Sequence, residues 1–141
     1  MGFQQLSPVR SRFSALRMLV VEDNVVNQRV VQMQLKKIGC TPDFASNGVE
    51  ALQAIELGEY DVILMDCQMP EMDGYETTRR IRKDSRNDGL HVIAMTANAM
   101  QGDREKCFAA GMDDYITKPT AAADLHAVLD RALARFGVSR G

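Results

Sequence analysis

The sequence VILMDCQMPEMDG, residues 62–74, contains the clearest strand signal in the chain. Its first four side chains are apolar and are followed by Asp66, after which Pro70 and Gly74 mark a loop. A short apolar run bounded by turn residues is typical of a strand that is buried on both faces of a parallel sheet. The stretch therefore predicts a central strand that ends on a carboxylate, Asp66.

Similar apolar runs lie on both sides of this stretch and alternate with amphipathic segments. The other predicted strands span residues 18–22, 41–45, 91–96 and 114–118, and the predicted helices span residues 25–39, 49–58, 75–84, 98–111 and 121–136. Alternating strands and helices predict an α/β fold, because parallel strands need helical crossovers. The expected architecture is a doubly wound five-stranded parallel sheet of order 2-1-3-4-5, a flavodoxin-like sandwich of three layers.

The length and composition of the chain indicate one ordinary globular domain. Its 141 residues are 45% hydrophobic and 26% charged, close to the average for such domains. We expect residues 1–16 to be a linker or tag remnant, residues 17–137 to be the folded domain, and residues 138–141 to be a C-terminal tail.

The charge balance and the cysteines exclude several classes of partner. A net charge of −2 gives no overall attraction to nucleic acid, and no apolar run is long enough for a membrane span. Three scattered cysteines match neither a disulfide framework nor a zinc site. We therefore expect a cytoplasmic chain without direct membrane contact, whether or not a larger parent protein is anchored in a membrane.

Polar and charged side chains follow four of the predicted strands, where the carboxyl ends of parallel strands meet. They are Glu22, Asp23, Asp66, Thr96 and Lys118. Carboxylates ~5 Å apart repel by about 3 kcal/mol per pair at an effective dielectric near 20, so a neutralising group is expected. A hard divalent cation such as Mg²⁺ prefers oxygen ligands of this kind. A lysine and a hydroxyl beside the metal would suit an anionic phosphoryl group.

The expected nucleophile is a carboxylate, because no histidine is placed to activate a serine or cysteine. His91 and His126 lie away from the carboxyl ends of the predicted strands. Carboxylates are known to form aspartyl phosphates. Asp66 lies in the middle of the predicted sheet and is therefore the predicted acceptor.

Four blocks of this sequence resemble the signature blocks of response-regulator receiver domains. They are VEDN (21–24), LMDCQMPEMDG (64–74), AMTANAM (94–100) and GMDDYITKP (111–119). They occur in order and with fitting spacing, and the resemblance covers roughly residues 17–136. It implies that Asp66 accepts phosphate from a phosphohistidine on a histidine kinase core or a histidine phosphotransfer domain.

The resemblance also implies roles for the neighbouring residues. The implied Mg²⁺ ligands are Asp23, Asp66, the backbone carbonyl of Cys67 and, through water, Glu22. The implied phosphoryl-binding residues are Thr96 and Lys118, the implied switch pair is Thr96 and Tyr115, and the implied tuners of phosphate lifetime are Gln68 and Asn98. Such a chain would catalyse only its own phosphorylation and dephosphorylation.

The blocks VEDNVVNQ and MTANAMQGDREKCFAAGMDDYITKP are most similar to receivers of hybrid sensor histidine kinases. For transfer from a partner histidine, we expect docking near the first predicted helix and the loops beside the site. An apolar patch of Val25, Val26, Met69 and Pro119 is the expected contact. A basic face at Arg79, Arg80, Arg82 and Lys83 is more typical of a solvated helix than of nucleic-acid binding.

Two alternative functions fit parts of the pattern. A stand-alone single-domain response regulator would share every site residue. A Mg²⁺-dependent aspartyl-phosphate phosphatase of the haloacid-dehalogenase type also uses an aspartate after a strand, but it needs a second acid two residues later. Gln68 occupies that position, which argues against the phosphatase. The absence of a P-loop motif excludes nucleotide hydrolysis of that type.

Overall fold

In the computed structural model, which describes residues 13–98 and 100–136, the strands form one parallel sheet in the order β2-β1-β3-β4-β5. The strands are β1 (Met18–Val21), β2 (Asp43–Ala45), β3 (Val62–Asp66), β4 (His91–Thr96) and β5 (Asp114–Thr117). The helices are α1 (Val25–Lys37), α2 (Gly48–Leu57), α3 (Gly74–Arg82), α4 (Gln101–Ala110) and α5 (Ala122–Arg135). The predicted fold class and strand order are confirmed.

Each face of the sheet carries its own apolar core. Side chains that alternate along β3 point to opposite faces, so Leu64 joins one cluster while Ile63 and Met65 join the other. The first cluster packs the sheet against α1 and α5, and the second packs it against α2, α3 and α4. All five residues of β3 are buried, as its continuous apolar sequence predicts.

Side-chain caps begin three of the helices. The side chains of Asn24, Asn47 and Asp73 each accept a hydrogen bond from a backbone N–H three residues later. Such caps satisfy backbone donors that have no partner within the helix. The first two caps fix where the chain turns from the carboxyl ends of β1 and β2 into the following helix.

The predicted start of α4 at residue 98 is wrong by three residues. The Asn98 side chain accepts a bond from the Met100 N–H at 3.0 Å, and the Thr96 hydroxyl bonds to the Asn98 backbone. These local bonds compete with helical ones and hold the chain in a turn. The helix therefore begins at Gln101.

Residues just before β1 contribute to the core. Phe13 and Leu16 lie within the segment predicted as a linker, yet both are buried against the α1 and α5 side of the sheet. The Phe13 ring also meets the His126 ring of α5 edge-on, with centroids 5.0 Å apart. Residues 1–12 and the predicted tail at 138–141 lie outside the described part of the chain.

The exposed surface of α1 is unusually apolar. Val26, Val30 and Met33 form one stripe along the helix and are exposed, whereas Val31 and Leu35 face the core. Within the same described ranges, no helix has the length and apolar character to cross a membrane.

The predicted basic face of α3 is divided between surface and interior. Arg79 and Arg80 are exposed and pair with Glu76 of the same helix. Arg82 instead donates to the backbone carbonyls of Asn87, Leu90 and Gly111, and its guanidinium also pairs with Asp113. The prediction that this basic face is solvated is therefore wrong for Arg82, which connects α3 to the loops before β4 and β5.

Candidate functional site

The strand register brings the predicted site residues to one edge of the sheet. Val21 pairs with Met65, and Asp66 pairs with Met95. Glu22 therefore follows β1 beside Asp66, and Thr96 ends β4 one residue beyond the partner of Asp66. Lys118 directly follows β5 and reaches the same edge. The sequence places these four residues on separate strands, and the parallel register makes them neighbours.

Asp66 is almost completely buried, with only 1% of its surface exposed. Its Oδ1 accepts a hydrogen bond from the Gln68 N–H at 3.0 Å and pairs with Lys118 Nζ at 3.0 Å. Its Oδ2 receives no hydrogen bond from any residue that the structure describes. Burial raises the pKa of Asp66 to about 6, against the opposing effect of the Gln68 N–H and Lys118. One carboxylate oxygen is thus held and the other is unpartnered.

Glu22 is buried to the same extent and shares the lysine. Its Oε2 accepts from the Asn24 N–H at 3.1 Å, and its Oε1 lies 3.2 Å from Lys118 Nζ. Burial disfavours the charge of Lys118, but its pairs with Asp66 and Glu22 outweigh burial and raise the pKa of the ammonium. Lys118 therefore stays positively charged between two buried carboxylates.

Three carboxylates form a compact oxygen cluster. Glu22, Asp23 and Asp66 each offer one oxygen atom, and these atoms lie within 4.8 Å of one another. Asp23 is exposed and the other two are buried, so the cluster opens to solvent on one side. Two of these carboxylates are buried and share the single charge of Lys118, so this set of oxygen ligands fits a site that holds a hard cation.

The loop after β3 completes this edge. The Cys67 carbonyl accepts from the Gly74 N–H at 3.2 Å, which leaves it a second lone pair. A side chain at Gly74 would collide with the Asp66 carbonyl, so only glycine allows α3 to start this close to the end of β3. The role of Gly74 was not predicted, although the Asp-Gly pair that ends the block marked a turn.

Thr96 and Asn98 lie at this edge, but they bond to each other. The Thr96 hydroxyl is buried, donates to the Asn98 carbonyl at 2.9 Å and accepts from the Asn98 N–H at 3.2 Å. It makes no hydrogen bond to Asp66 in the part of the chain that the structure describes. Gln68 contacts Asp66 through its backbone N–H, and its side chain is exposed.

Tyr115 lies outside this cluster, on the outer strand β5. Its ring meets the Phe108 ring of α4 edge-on, with centroids 6.4 Å apart. Its hydroxyl lies 3.5 Å from Arg104 Nη1, also on α4. Tyr115 therefore links β5 to α4, two residues before β5 ends and three before Lys118.

Two expectations about the loop after Asp66 have different outcomes. Met69 was predicted to be an exposed partner contact, but only 8% of it is exposed, because it packs in the apolar cluster under α2 and α3. That prediction is wrong. The Cys67 thiol is buried beside Tyr75 and Cys107, and burial raises its pKa to about 12. A thiolate is therefore disfavoured, which argues against a redox role for Cys67.

The sequence of this chain matches a described family and several curated proteins. The family described as response regulator receiver domain matches residues 18–130. Hybrid signal transduction histidine kinase H of Dictyostelium discoideum is 45% identical over 121 residues, which cover 83% of this chain. Kinase B of the same organism is 41% identical over 120 residues, which cover 77% of this chain. The matched regions are only 9% and 6% of these two kinases.

Two solved structures share both fold and sequence with this chain. One is the receiver domain of a sensor histidine kinase from Pseudomonas aeruginosa, with a magnesium ion in its active-site cleft. It is 44% identical, has a TM-score of 0.77, and the match covers 84% of this chain and 98% of that one. The other is the receiver domain of a response regulator from Saccharomyces cerevisiae, in complex with a histidine phosphotransfer protein. It is 31% identical, has a TM-score of 0.75, and the match covers 86% of this chain and 88% of that one.

The family match, the strand order and the acidic edge agree with one another. The match spans all five strands, from the first residue of β1 into the second half of α5. The related receiver from Pseudomonas aeruginosa holds magnesium in its cleft, and the acidic cluster of this chain can hold a metal. This chain therefore belongs to the response regulator receiver domains of two-component signalling.

Proposed function

We propose that this receiver domain accepts a phosphoryl group on Asp66 Oδ2. The observation that carries the proposal is the asymmetry of the carboxylate: Oδ1 is held by Lys118 and the Gln68 N–H, while buried Oδ2 has no hydrogen bond within the described residues. The held oxygen orients the carboxylate, and the unpartnered oxygen is available to attack phosphorus. Attack forms the new O–P bond as the bond from phosphorus to the donor histidine breaks.

The acidic cluster would hold Mg²⁺ through Asp23, Asp66 and the Cys67 carbonyl, with Glu22 acting through water. All of these ligands are oxygens, as Mg²⁺ prefers, and the clustering of one oxygen from each of the three carboxylates within 4.8 Å supports the assignment. When bound, Mg²⁺ supplies positive charge that stabilises the phosphoryl oxygens during transfer. Lys118, paired with Asp66, supplies a second positive charge.

The conformational change that would follow phosphorylation begins at Thr96. Its hydroxyl is bonded to Asn98, and a phosphoryl group on Asp66 would offer it a stronger, negatively charged acceptor. A turn of the hydroxyl toward that group releases the Asn98 loop, which leads into α4. Tyr115, packed on α4 through Phe108, would move with it and change the surface formed by α4, β5 and α5. Gln68, whose N–H contacts Asp66, and Asn98, which bonds to Thr96, would set the lifetime of the phosphate by controlling access of water.

The partner that we propose is a protein with a phosphorylated histidine on a helix. In-line transfer requires that helix to approach the acidic edge, where Val30 of the exposed α1 stripe and Pro119 line one cavity together with Glu22 and Lys118. The stripe would pack against apolar side chains of the partner helix, with polar residues around it. The yeast receiver bound to a phosphotransfer protein and the similarity to hybrid kinases favour this class of partner over nucleic acid.

The parent protein is proposed to be a hybrid histidine kinase, with this domain at residues 17–137 on the cytoplasmic side. The chain itself would catalyse only its own phosphorylation and dephosphorylation. A stand-alone regulator would use the same site, so the parent architecture is a separate question from the chemistry. The phosphatase alternative is less favoured, because Gln68 offers no second carboxylate beside Asp66.

The test is phosphorylation by acetyl phosphate in the presence of Mg²⁺, followed by intact-mass measurement. The wild-type chain is expected to gain one phosphoryl group that is lost in base, as acyl phosphates are. Asp66→Asn is expected to gain none, and Asp88→Asn, an exposed control at the other end of the sheet, is expected to react like wild type. A phosphorylated Asp66→Asn chain would refute the proposal.

A further inference from the structure

Two glutamines on α1 contact the two loops that carry the candidate site. Gln28 and Gln34 are both half-buried, and each side-chain amide donates to a backbone carbonyl outside the helix. The first contacts the loop after β1, and the second contacts the loop after β5. The exposed stripe proposed for docking lies on the same helix. α1 is therefore connected to both sides of Asp66.

Gln28 holds the peptide that joins the two acids of the first loop. Its Nε2 donates to the Glu22 carbonyl at 2.6 Å and also lies 3.4 Å from the Ser46 hydroxyl. The Glu22 carbonyl belongs to the peptide bond that leads into Asp23. The Asp23 side chain makes no hydrogen bond to another described residue, so its direction depends on this peptide. A substitution at Gln28 would therefore first alter the orientation of the Asp23 side chain.

Gln34 holds the lysine loop through a reciprocal pair. Its Nε2 donates to the Thr120 carbonyl at 2.9 Å, and the Thr120 hydroxyl donates to Gln34 Oε1 at 2.8 Å. Thr120 is two residues beyond Lys118, whose own N–H donates to the Thr96 carbonyl at 2.8 Å. The segment that carries Lys118 is therefore fixed at one end by β4 and at the other by α1.

We propose that Gln28 and Gln34 are positioning residues with separate roles. Gln28 places the Glu22–Asp23 peptide for metal binding, and Gln34 acts through Thr120 to place Lys118 for phosphoryl transfer. The inference rests on the proposed function, because it assigns these roles within that reaction. A purely structural role would instead make both glutamines stabilise the fold and leave metal binding and transfer affected together.

The experiment uses methionine, which keeps the length of glutamine but removes its hydrogen bonds. Gln28→Met and Gln34→Met are compared with Gln32→Met, which changes an exposed glutamine on the same helix. Thr120→Val removes the hydroxyl at nearly constant shape, and Thr120→Ser restores it. The Mg²⁺ dissociation constant is measured by calorimetry, since the chain has no tryptophan to report binding by fluorescence. The rate of acyl-phosphate formation is measured with acetyl phosphate at saturating Mg²⁺.

Gln28→Met is expected to weaken Mg²⁺ binding about tenfold, the usual cost of losing a residue that orients a metal ligand. Its rate at saturating Mg²⁺ is expected to stay near the wild-type value. Thr120→Val, which loses one hydrogen bond, is expected to slow phosphorylation about fivefold, and Gln34→Met, which loses both, is expected to slow it at least as much. Neither variant is expected to weaken Mg²⁺ binding. Thr120→Ser is expected to recover the rate, and Gln32→Met is expected to change neither quantity.

The inference is overturned if Gln28→Met and Gln34→Met change the Mg²⁺ dissociation constant and the phosphorylation rate in the same ratio. It is also overturned if neither variant differs from Gln32→Met. A wild-type chain that binds Mg²⁺ but takes no phosphate would refute the proposed function and, with it, the role of Gln34. The role of Gln28 would still be decided by the Mg²⁺ titration. Melting curves of each variant identify a loss of folding, which would weaken Mg²⁺ binding and slow phosphorylation together.

Discussion

Two opposing effects act on the Asp66 carboxylate, and burial is the larger. It raises the pKa to about 6, so the folded protein binds this proton more tightly than the unfolded chain does. The contribution of Asp66 to stability is therefore fully present below about pH 4 and is lost as the pH rises through about 6. At neutral pH without metal, the buried charge destabilises the fold.

Asp66→Asn is accordingly expected to stabilise the metal-free protein at pH 7. A pKa near 6 instead of 3.8 already includes the favourable pair with Lys118, and it corresponds to a gain of at most about 3 kcal/mol. Urea unfolding in the presence of a chelator measures the difference, which should shrink by pH 4. The exposed Asp88→Asn should show no such pH-dependent gain. A variant less stable than wild type at pH 7 would contradict this description of the site.

The same carboxylates should make stability depend on Mg²⁺. Binding to the folded state adds about 1.4 kcal/mol for each tenfold rise in Mg²⁺ above its dissociation constant. Asp23→Asn removes the exposed ligand and is expected to abolish most of the rise in melting temperature. Glu71→Gln, in the neighbouring loop, leaves the three-carboxylate cluster intact and serves as the control. Equal Mg²⁺ responses of wild type and Asp23→Asn would show that the metal site lies elsewhere.

The exposed stripe of α1 gives a prediction about the partner. Val26→Glu places a charge in an apolar contact, so it is expected to reduce phosphotransfer from a phosphorylated histidine phosphotransfer protein at least about tenfold. Phosphorylation by acetyl phosphate should stay within about twofold, because Val26 is 69% exposed and outside the carboxylate cluster. Val49→Glu on α2, at 54% exposure, is the matched control.

Failure of both reactions in Val26→Glu would indicate a damaged fold or site. An unchanged transfer from the partner would exclude α1 as the docking helix. The surface around Tyr115 on β5 would then be the better candidate.

Sequence periodicity predicted the existence and type of every strand and long helix, because their apolar faces must be buried. It could not predict the start of α4, since the bonds between Thr96 and Asn98 that delay this helix depend on how the chain turns after β4. It also could not place Met69, whose burial depends on the loop between β3 and α3 folding back under the helices.

The four strand ends gave the candidate site because parallel strands bring their carboxyl ends to one edge. The pairing of Lys118 with both Glu22 and Asp66 was not predictable, since the side chain must extend from the end of β5 past β4 to residues at the ends of β3 and β1. The contacts of Gln28 and Gln34 were missed for a related reason. A glutamine on a helix is ordinarily a solvated residue, and nothing in its spacing identifies the loop that it meets.

The apolar cluster on the α1 and α5 side of the sheet extends beyond the predicted domain at one end. Phe13 is only 2% exposed and packs with α5, so Phe13→Ala is expected to cost about 3–5 kcal/mol through lost burial and a cavity. Phe108→Ala, at 49% exposure, should cost about 1 kcal/mol or less. Urea unfolding of both variants measures the difference. Equal, small losses would mean that the folded domain begins at residue 17, as the sequence predicts.

The reaction proposed for the whole domain, the transfer of a phosphoryl group to Asp66, can be measured directly. The wild-type chain is treated with acetyl phosphate and Mg²⁺, the acyl phosphate is reduced with borohydride, and the peptides are sequenced by mass spectrometry. Hydride reduction converts a phosphorylated aspartate to homoserine. The expected result is homoserine at position 66 alone, and only when Mg²⁺ is present. Homoserine at another aspartate, or a stable phosphate on serine, threonine or histidine, would contradict the mechanism.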